Sequence, residues 1–332
     1  MPTVYVPGSG TDSPPSPSPP VTPKAAALET IPTQVPHTPI KRLYTMSYRG
    51  TPDFEHSTWS LRVDGLVDTP LTPSLNDLRA LPHVTETRTL ECISNPIGGG
   101  LIGTVSWNGT ALAPLLTRAG VKPTATYVHF EAMDGYTTSL RVEQITQAGV
   151  LLVYGAEGAP LPAAHGSPLR ILIPGLYGQK QPKWISRIHF SDHEKLGYWE
   201  QEHRGWSNTA VVQTTAILRD PARTVLPFES PIRFAGVAFA GKRAITRVEL
   251  RAAQGKQILT DWREAHLIHP DSPLIWTAWV YDWEPPAPGV YQIAVRATDE
   301  TGYRQERFES GLFGKPFPEG TDAIHQITLK LG

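Results

Sequence analysis

Thr89-Leu90-Glu91-Cys92-Ile93-Ser94-Asn95, with Gly98, Gly99 and Gly100 just beyond, holds the only cysteine in 332 residues. A lone thiol closes no disulfide within its chain, and an isolated cysteine is commonly a small buried apolar residue. Its place beside a glycine-rich turn, read here as a flexible loop, fits a metal ligand better. Thiolate is a soft donor, yet zinc or an iron-sulfur cluster needs several protein ligands, and there is no second cysteine to share the work. The expectation is a metal whose remaining ligands come from a cofactor.

A second stretch bears on the same question. His165-Gly166-Ser167-Pro168-Leu169-Arg170 leads into an apolar run, then Pro174-Gly175-Leu176-Tyr177-Gly178-Gln179-Lys180-Gln181-Pro182-Lys183-Trp184. Glycines that admit close backbone approach alternate with cationic side chains, a composition suited to a phosphate-bearing ligand. Neither a Walker A sequence nor a dinucleotide fingerprint is present.

The chain is long enough for two cores, and 40% hydrophobic residues suffice to fill them. With 30 basic and 31 acidic residues it has no electrostatic footprint for nucleic acid. Ser13 to Pro23 is proline- and serine-rich and cannot build a core, so residues 1–38 are read as a tether or tail. A tether suggests an N-terminal anchor at its far end.

Trp59 to Gly65 alternates like a half-buried strand. Ser74 is placed to cap a helix over Leu75 to Leu81, and Ala111 to Ala119 places Leu112, Leu115, Leu116 and Ala119 on one helical face before Gly120. Strands at Tyr127 to Met133 and Arg170 to Ile173 make this part α+β. Beyond Pro221 the segments Pro231 to Ala240, Ile245 to Arg251, Leu274 to Trp283, Tyr291 to Thr298 and His325 to Leu331 predict a β-sandwich. Trp276, Trp279 and Trp283 are read as core or interface, without chemistry.

From about Ile40 onward the chain resembles the sulfite oxidase fold of molybdopterin-dependent oxidoreductases. The resemblance rests on Trp59 to Gly65, Cys92 with Asn95, Trp107-Asn108-Gly109 followed by Leu112 to Leu116, Asp134-Gly135-Tyr136, Leu161-Pro162, His165 to Arg170, Pro174-Gly175, Gly178 and Lys183-Trp184. It implies a mixed α+β molybdopterin domain over residues 39–225 and an immunoglobulin-like β-sandwich over 226–332 that serves dimerisation, with a homodimer as the assembly.

The resemblance also implies a site. Cys92 would ligate molybdenum, completed by the two dithiolene sulfurs of molybdopterin and by oxo or hydroxo groups. Ser47, Tyr48, Asn95, His165, Arg170, Gly178, Lys180 and Lys183 would bind the cofactor. Two departures bear on the substrate. Asn95 is followed by Pro96 and Ile97 where sulfite oxidases carry basic residues, and Met46-Ser47-Tyr48 stands where they carry Arg-Asn-His. The active-site tyrosine position offers His203 or Arg204 instead, and Arg49 is a further candidate for a missing charge. The closer match is to bacterial members with Cys-Ile-Ser-Asn and a glycine run, some of which carry an N-terminal membrane region.

The reading is therefore a molybdenum-dependent oxidoreductase performing two-electron oxygen-atom transfer, with S-oxide or N-oxide reduction placed first. Sulfite oxidation and a cofactor-free binding or adhesion protein remain as alternatives. With no Cys-x-x-Cys-His and no cluster cysteines, electrons would pass to a separate cytochrome or quinone system. The tether favours an extracytoplasmic location, periplasmic or membrane-associated.

Overall fold

The computed structural model describes residues 4–5, 34–201, 204–309 and 316–332. The proline-rich run Ser13 to Pro23 and His203 lie outside them. The described chain is mainly strand, with three α-helices of only five, seven and five residues.

The first part of the chain builds two sheets around one core. One sheet runs Arg170–Leu172, Leu151–Ala156, Ile102–Ala111, His83–Glu91 in antiparallel order, with Ala159–Pro160 on the second strand. The other runs Arg62–Gly65, Ile185–Ser191, Tyr127–Ala132, Thr137–Arg141, its first pair parallel. Helix Leu75–Arg79 starts at Ser74, which forms a capping box with Asp77, and contributes the buried Leu78. Helix Ala113–Ala119 stops at left-handed Gly120 and buries Leu115, Leu116 and Ala119. Both helices seal the core that holds Leu61, Val128, Phe130, Leu152 and Ile188. Their shortness follows from Pro82 beyond one and Gly120 at the end of the other.

Two further sheets share a second core. Strands Thr215–Asp220, Ile232–Phe239, Thr277–Trp283 and His266–Ile268 form one, and Val225–Leu226, His325–Leu331, Gly289–Asp299, Ile245–Gln254 and Gln257–Glu264 the other. Phe234, Trp279, Trp283 and Tyr291 fill the space between them. All five strands expected beyond Pro221 are present within a few residues of their anticipated ends. Thr215–Asp220 also pairs with Ile232–Phe239, so these sheets begin before residue 226.

A third apolar cluster joins the two parts. Ile93, Ile102 and Tyr177 meet Val212, Val237, Phe239 and Trp276. Polar links reinforce it: Trp276 N donates to Thr89 Oγ1 at 2.8 Å, and Arg219 Nη2 donates to Gly99 O at 2.9 Å. Residues 34–38 belong to this junction and are not free tether, because Thr38 N donates to Thr104 O and Trp276 Nε1 to Pro36 O.

Two of the three glycines after Cys92 are packed, Gly98 on His325 and Gly99 on Asn95 and Pro96, while Gly100 is open, so most of the run is not the flexible loop expected. A Cβ on Gly98, at φ +70°, would lie 2.4 Å from Nε2 of His325, whose Nδ1 accepts from Leu218 N. Only glycine admits that approach with that backbone. Gly98→Ala is expected to destabilise the protein by about 1–3 kcal/mol through strain and displaced packing, measurable as a lowered urea midpoint.

Candidate active site

Cys92 follows the last residue of strand His83–Glu91, and its carbonyl accepts from Asn95 N while its own N–H donates to Leu101 O. Asn95 Oδ1 accepts from Leu101 N and its Nδ2 donates to Glu91 Oε1, both at 2.9 Å. These bonds fold the segment back on itself and hold the cysteine at the wall of a cavity of about 280 Å³. The thiol is buried and lies 3.0 Å from Ser94 Oγ. Burial pushes its pKa up, against the opposing hydrogen bond from Ser94.

The cationic part of the lining comes from the turn before strand Arg170–Leu172 and from the segment ending at Trp184. Gly166, at φ +113°, brings the His165 turn close to both: a Cβ there would lie 3.1 Å from Cβ of Arg170 and of Lys183. Lys183 Nζ donates to Ala164 O at 2.8 Å and lies 4.2 Å from the ring centre of Trp184, whose Nε1 donates to Ala163 O. Trp184 itself sits at φ 50°, an uncommon backbone for a bulky residue, locked here by that hydrogen bond.

Arg170 is 3% exposed, and its guanidinium lies over the ring of Trp107. Nη1 donates to His165 O at 3.3 Å, while Nε has no partner. No carboxylate among the described residues pairs with it, and burial lowers its pKa to about 10. A buried, unpaired guanidinium is costly on its own and complete when an anion arrives. Burial and the Arg170 charge lower Lys183 to about 7.

His165 is lowered to about 4, by burial first and then by Arg170 and Lys183, so it is neutral at pH 7. Burial, with a smaller effect from Arg219, lowers His325 to about 4 as well. Between about 6.5 and 4 the unfolded chain therefore binds more protons than the folded one, and stability falls as pH drops through that window. The expected result is a lower urea midpoint at pH 5 than at pH 7, with a flatter dependence in His165→Gln.

Seven of the residues anticipated from the sequence meet at this cavity: Ser47, Tyr48, Cys92, His165, Arg170, Gly178 and Lys183. Four do not line it. Asn95 spends its amide on the Cys92 segment, as above. Lys180 is wholly buried behind the cavity, where Glu200, Thr138 and Ser139 take its three protons. Arg204 stacks 3.6 Å from the ring centre of Tyr198 and donates to Gln201. Arg49 likewise stacks on Tyr48 and donates to its hydroxyl. The sequence reading missed Tyr44, Asp134, Tyr136, Gln179, Trp199 and Trp206 as lining residues. Of these, Asp134, Tyr136 and Gln179 lay within stretches already singled out, but nothing in them showed which way the side chains face.

Residues 48–199 match the family model described as the oxidoreductase molybdopterin binding domain. A Bacillus subtilis protein, the uncharacterized oxidoreductase YuiH, is 36% identical over 151 residues, covering 45% of this chain and 74% of that protein. The chain belongs to the molybdopterin-binding oxidoreductase family. Rat mitochondrial sulfite oxidase is 29% identical over 287 residues, 73% of this chain, and this chain spans 52% of its length. The sulfane dehydrogenase SoxCD from Paracoccus pantotrophus has the same fold, with a TM-score of 0.77 at 24% identity over 90% of this chain and 82% of that one.

The residues present fit the molybdenum–molybdopterin cofactor of this family. Among the described residues no group of three or more His, Cys, Asp or Glu is placed to hold a metal, so the protein offers the buried thiol of Cys92 and a metal must bring its other ligands. The unpaired guanidinium of Arg170 suits the cofactor's phosphate. When bound, the cofactor supplies two-electron oxygen-atom chemistry. The protein would hold it by Cys92, Arg170 and Lys183, which line the cavity, and shape the space beside it.

Proposed function

We propose that this protein is a molybdenum-cofactor enzyme that transfers an oxygen atom from an uncharged S-oxide or N-oxide, with Cys92 as the metal ligand. The observation that carries this reading is where the cavity's charge lies. Its cations, Arg170 and Lys183, are gathered at the His165 turn, while Met46, Tyr48, Trp199 and Trp206 make much of the remaining lining. A sulfite dianion in a water-poor pocket needs paired positive charge of its own. Arg49 and Arg204 do not line the cavity and are stacked on Tyr48 and Tyr198.

Sulfite oxidation is the second reading, favoured by the 29% identity to rat sulfite oxidase. Holoenzyme from a host that makes the cofactor separates the two. Oxidation of reduced viologen by dimethyl sulfoxide or trimethylamine N-oxide, with little sulfite-dependent reduction of cytochrome c, is expected. Efficient sulfite turnover with negligible S-oxide and N-oxide reduction would overturn the assignment.

The single cysteine supports a separate electron carrier, a cytochrome or a quinone system. The two C-terminal sheets around one core support an immunoglobulin-like sandwich and a boundary just before Thr215. A homodimer through that sandwich and an extracytoplasmic location are part of the same proposal. Among the described residues no helix is long and apolar enough to cross a membrane.

A further inference from the structure

Two walls of the cavity are joined behind its surface. Gly178 and Gln179 line it, and Lys180, next in the chain, points away. Trp199 and Trp206 line it, and Glu200 points away. The two hidden residues meet: Lys180 Nζ lies 2.9 Å from Glu200 Oε1, with side chains 0% and 1% exposed.

The surrounding bonds form one connected set. Lys180 Nζ also donates to Thr138 Oγ1 at 3.1 Å and Ser139 O at 3.0 Å. Glu200 Oε1 accepts further from Thr138 Oγ1 and from Gln179 Nε2, both at 2.9 Å. The other proton of Gln179 Nε2 goes to Ser207 O, one residue past Trp206, and Tyr136 Oη donates to Gln179 O. Gly197 lets the tryptophan-bearing segment close on strand Thr137–Arg141, since a Cβ there would lie 2.2 Å from Thr137 O and 2.4 Å from Glu200 Oε2.

Such a pair adds little net stability, because desolvating both charges offsets most of their attraction, and well-packed apolar residues can replace it. What it does add is direction, since each bond fixes a distance between the Gly178 turn and the tryptophan segment. We propose that Lys180 and Glu200, with Gln179, are positioning residues that set the Trp199–Trp206 wall relative to the Cys92 side of the cavity and thereby determine substrate fit. This rests on the reading above only in taking the cavity as the substrate site.

The test compares holoenzyme of wild type, Lys180→Met and the double variant Lys180→Met/Glu200→Met. The single variant leaves a buried carboxylate alone and can fail to fold. The double variant removes both charges at similar volume and keeps the question answerable. Molybdenum content, acrylamide quenching of tryptophan emission, and kcat and KM are measured, with Trp206→Phe marking the wall's share of the emission.

The double variant is expected to keep its molybdenum and unfolding midpoint, to show stronger quenching, and to lose roughly 10- to 100-fold in kcat/KM, mostly through KM, the scale of an ångström-sized misplacement. Unchanged quenching and KM would overturn the proposal, as would a loss of activity that merely tracks lost molybdenum. If none of the oxides nor sulfite is turned over, the functional reading fails, and quenching alone decides this one.

Discussion

Cys92→Ser protein is expected to fold normally and to lose turnover. The cysteine's backbone bonds to Leu101 and Asn95 do not involve the thiol, and the side chain contacts only Ser94 Oγ by hydrogen bonding. Replacing sulfur by oxygen there changes folding stability by about 1 kcal/mol or less. The chemistry is another matter, because a hydroxyl is a harder and far less acidic donor than a thiol. Loss of an outer partner of a metal ligand already costs about 10- to 100-fold in affinity or activity, and loss of the one protein ligand should exceed that. Elemental analysis and turnover check it together. Wild-type activity in molybdenum-loaded Cys92→Ser protein would sink the ligand assignment while leaving the fold untouched.

Arg170→Met should act in opposite directions on the cofactor-free and cofactor-loaded protein. Without cofactor, Arg170 is a buried cation with no carboxylate partner among the described residues and an unsatisfied Nε. Methionine removes that burden and keeps the apolar contact with Trp107, so the cofactor-free variant is expected to be more stable by about 1–3 kcal/mol. With cofactor, the lost charge leaves an anionic phosphate unpaired in a buried site. That costs about 2–5 kcal/mol of binding, roughly 30-fold to several thousand-fold in affinity. Chemical unfolding of cofactor-free protein measures the first effect, and cofactor retained through gel filtration measures the second. A cofactor-free variant less stable than wild type would show that Arg170 holds the fold, with the anion incidental.

Both residues stood out in the sequence because their chemistry is scarce: one thiol in the chain, and one arginine between a glycine turn and an apolar strand. Local pattern also reached the capped helix at Ser74, the glycine-stopped helix before Gly120 and the strands beyond Pro221. These features depend on neighbours within a few residues, where periodicity and capping operate. Strands His83–Glu91 and Ile102–Ala111 escaped, although they pair along their length and deliver Cys92 to the cavity. Val84, Leu90, Val105 and Trp107 pack on one apolar cluster, and in His83–Glu91 the charged Glu86 and Arg88 stand between the two apolar positions and hide the alternation.

Lys180 and Lys183 show where that legibility ends. In the sequence they are two lysines three residues apart among glycines and glutamines, equally suited to a phosphate. In the fold Lys183 lines the cavity, while Lys180 turns behind it to a carboxylate 20 residues on. The aromatic wall has the same origin, since Trp199 and Trp206 face the cavity only because the hidden bonds of Gln179, Lys180 and Glu200 hold their segment there. Residue types and short-range spacing, which the sequence contains, determined the family and singled out the one thiol and the arginine that the fold brings to the cavity. The direction in which each side chain leaves its backbone was decided by long-range pairing and burial, because those energies exist only once distant strands have met.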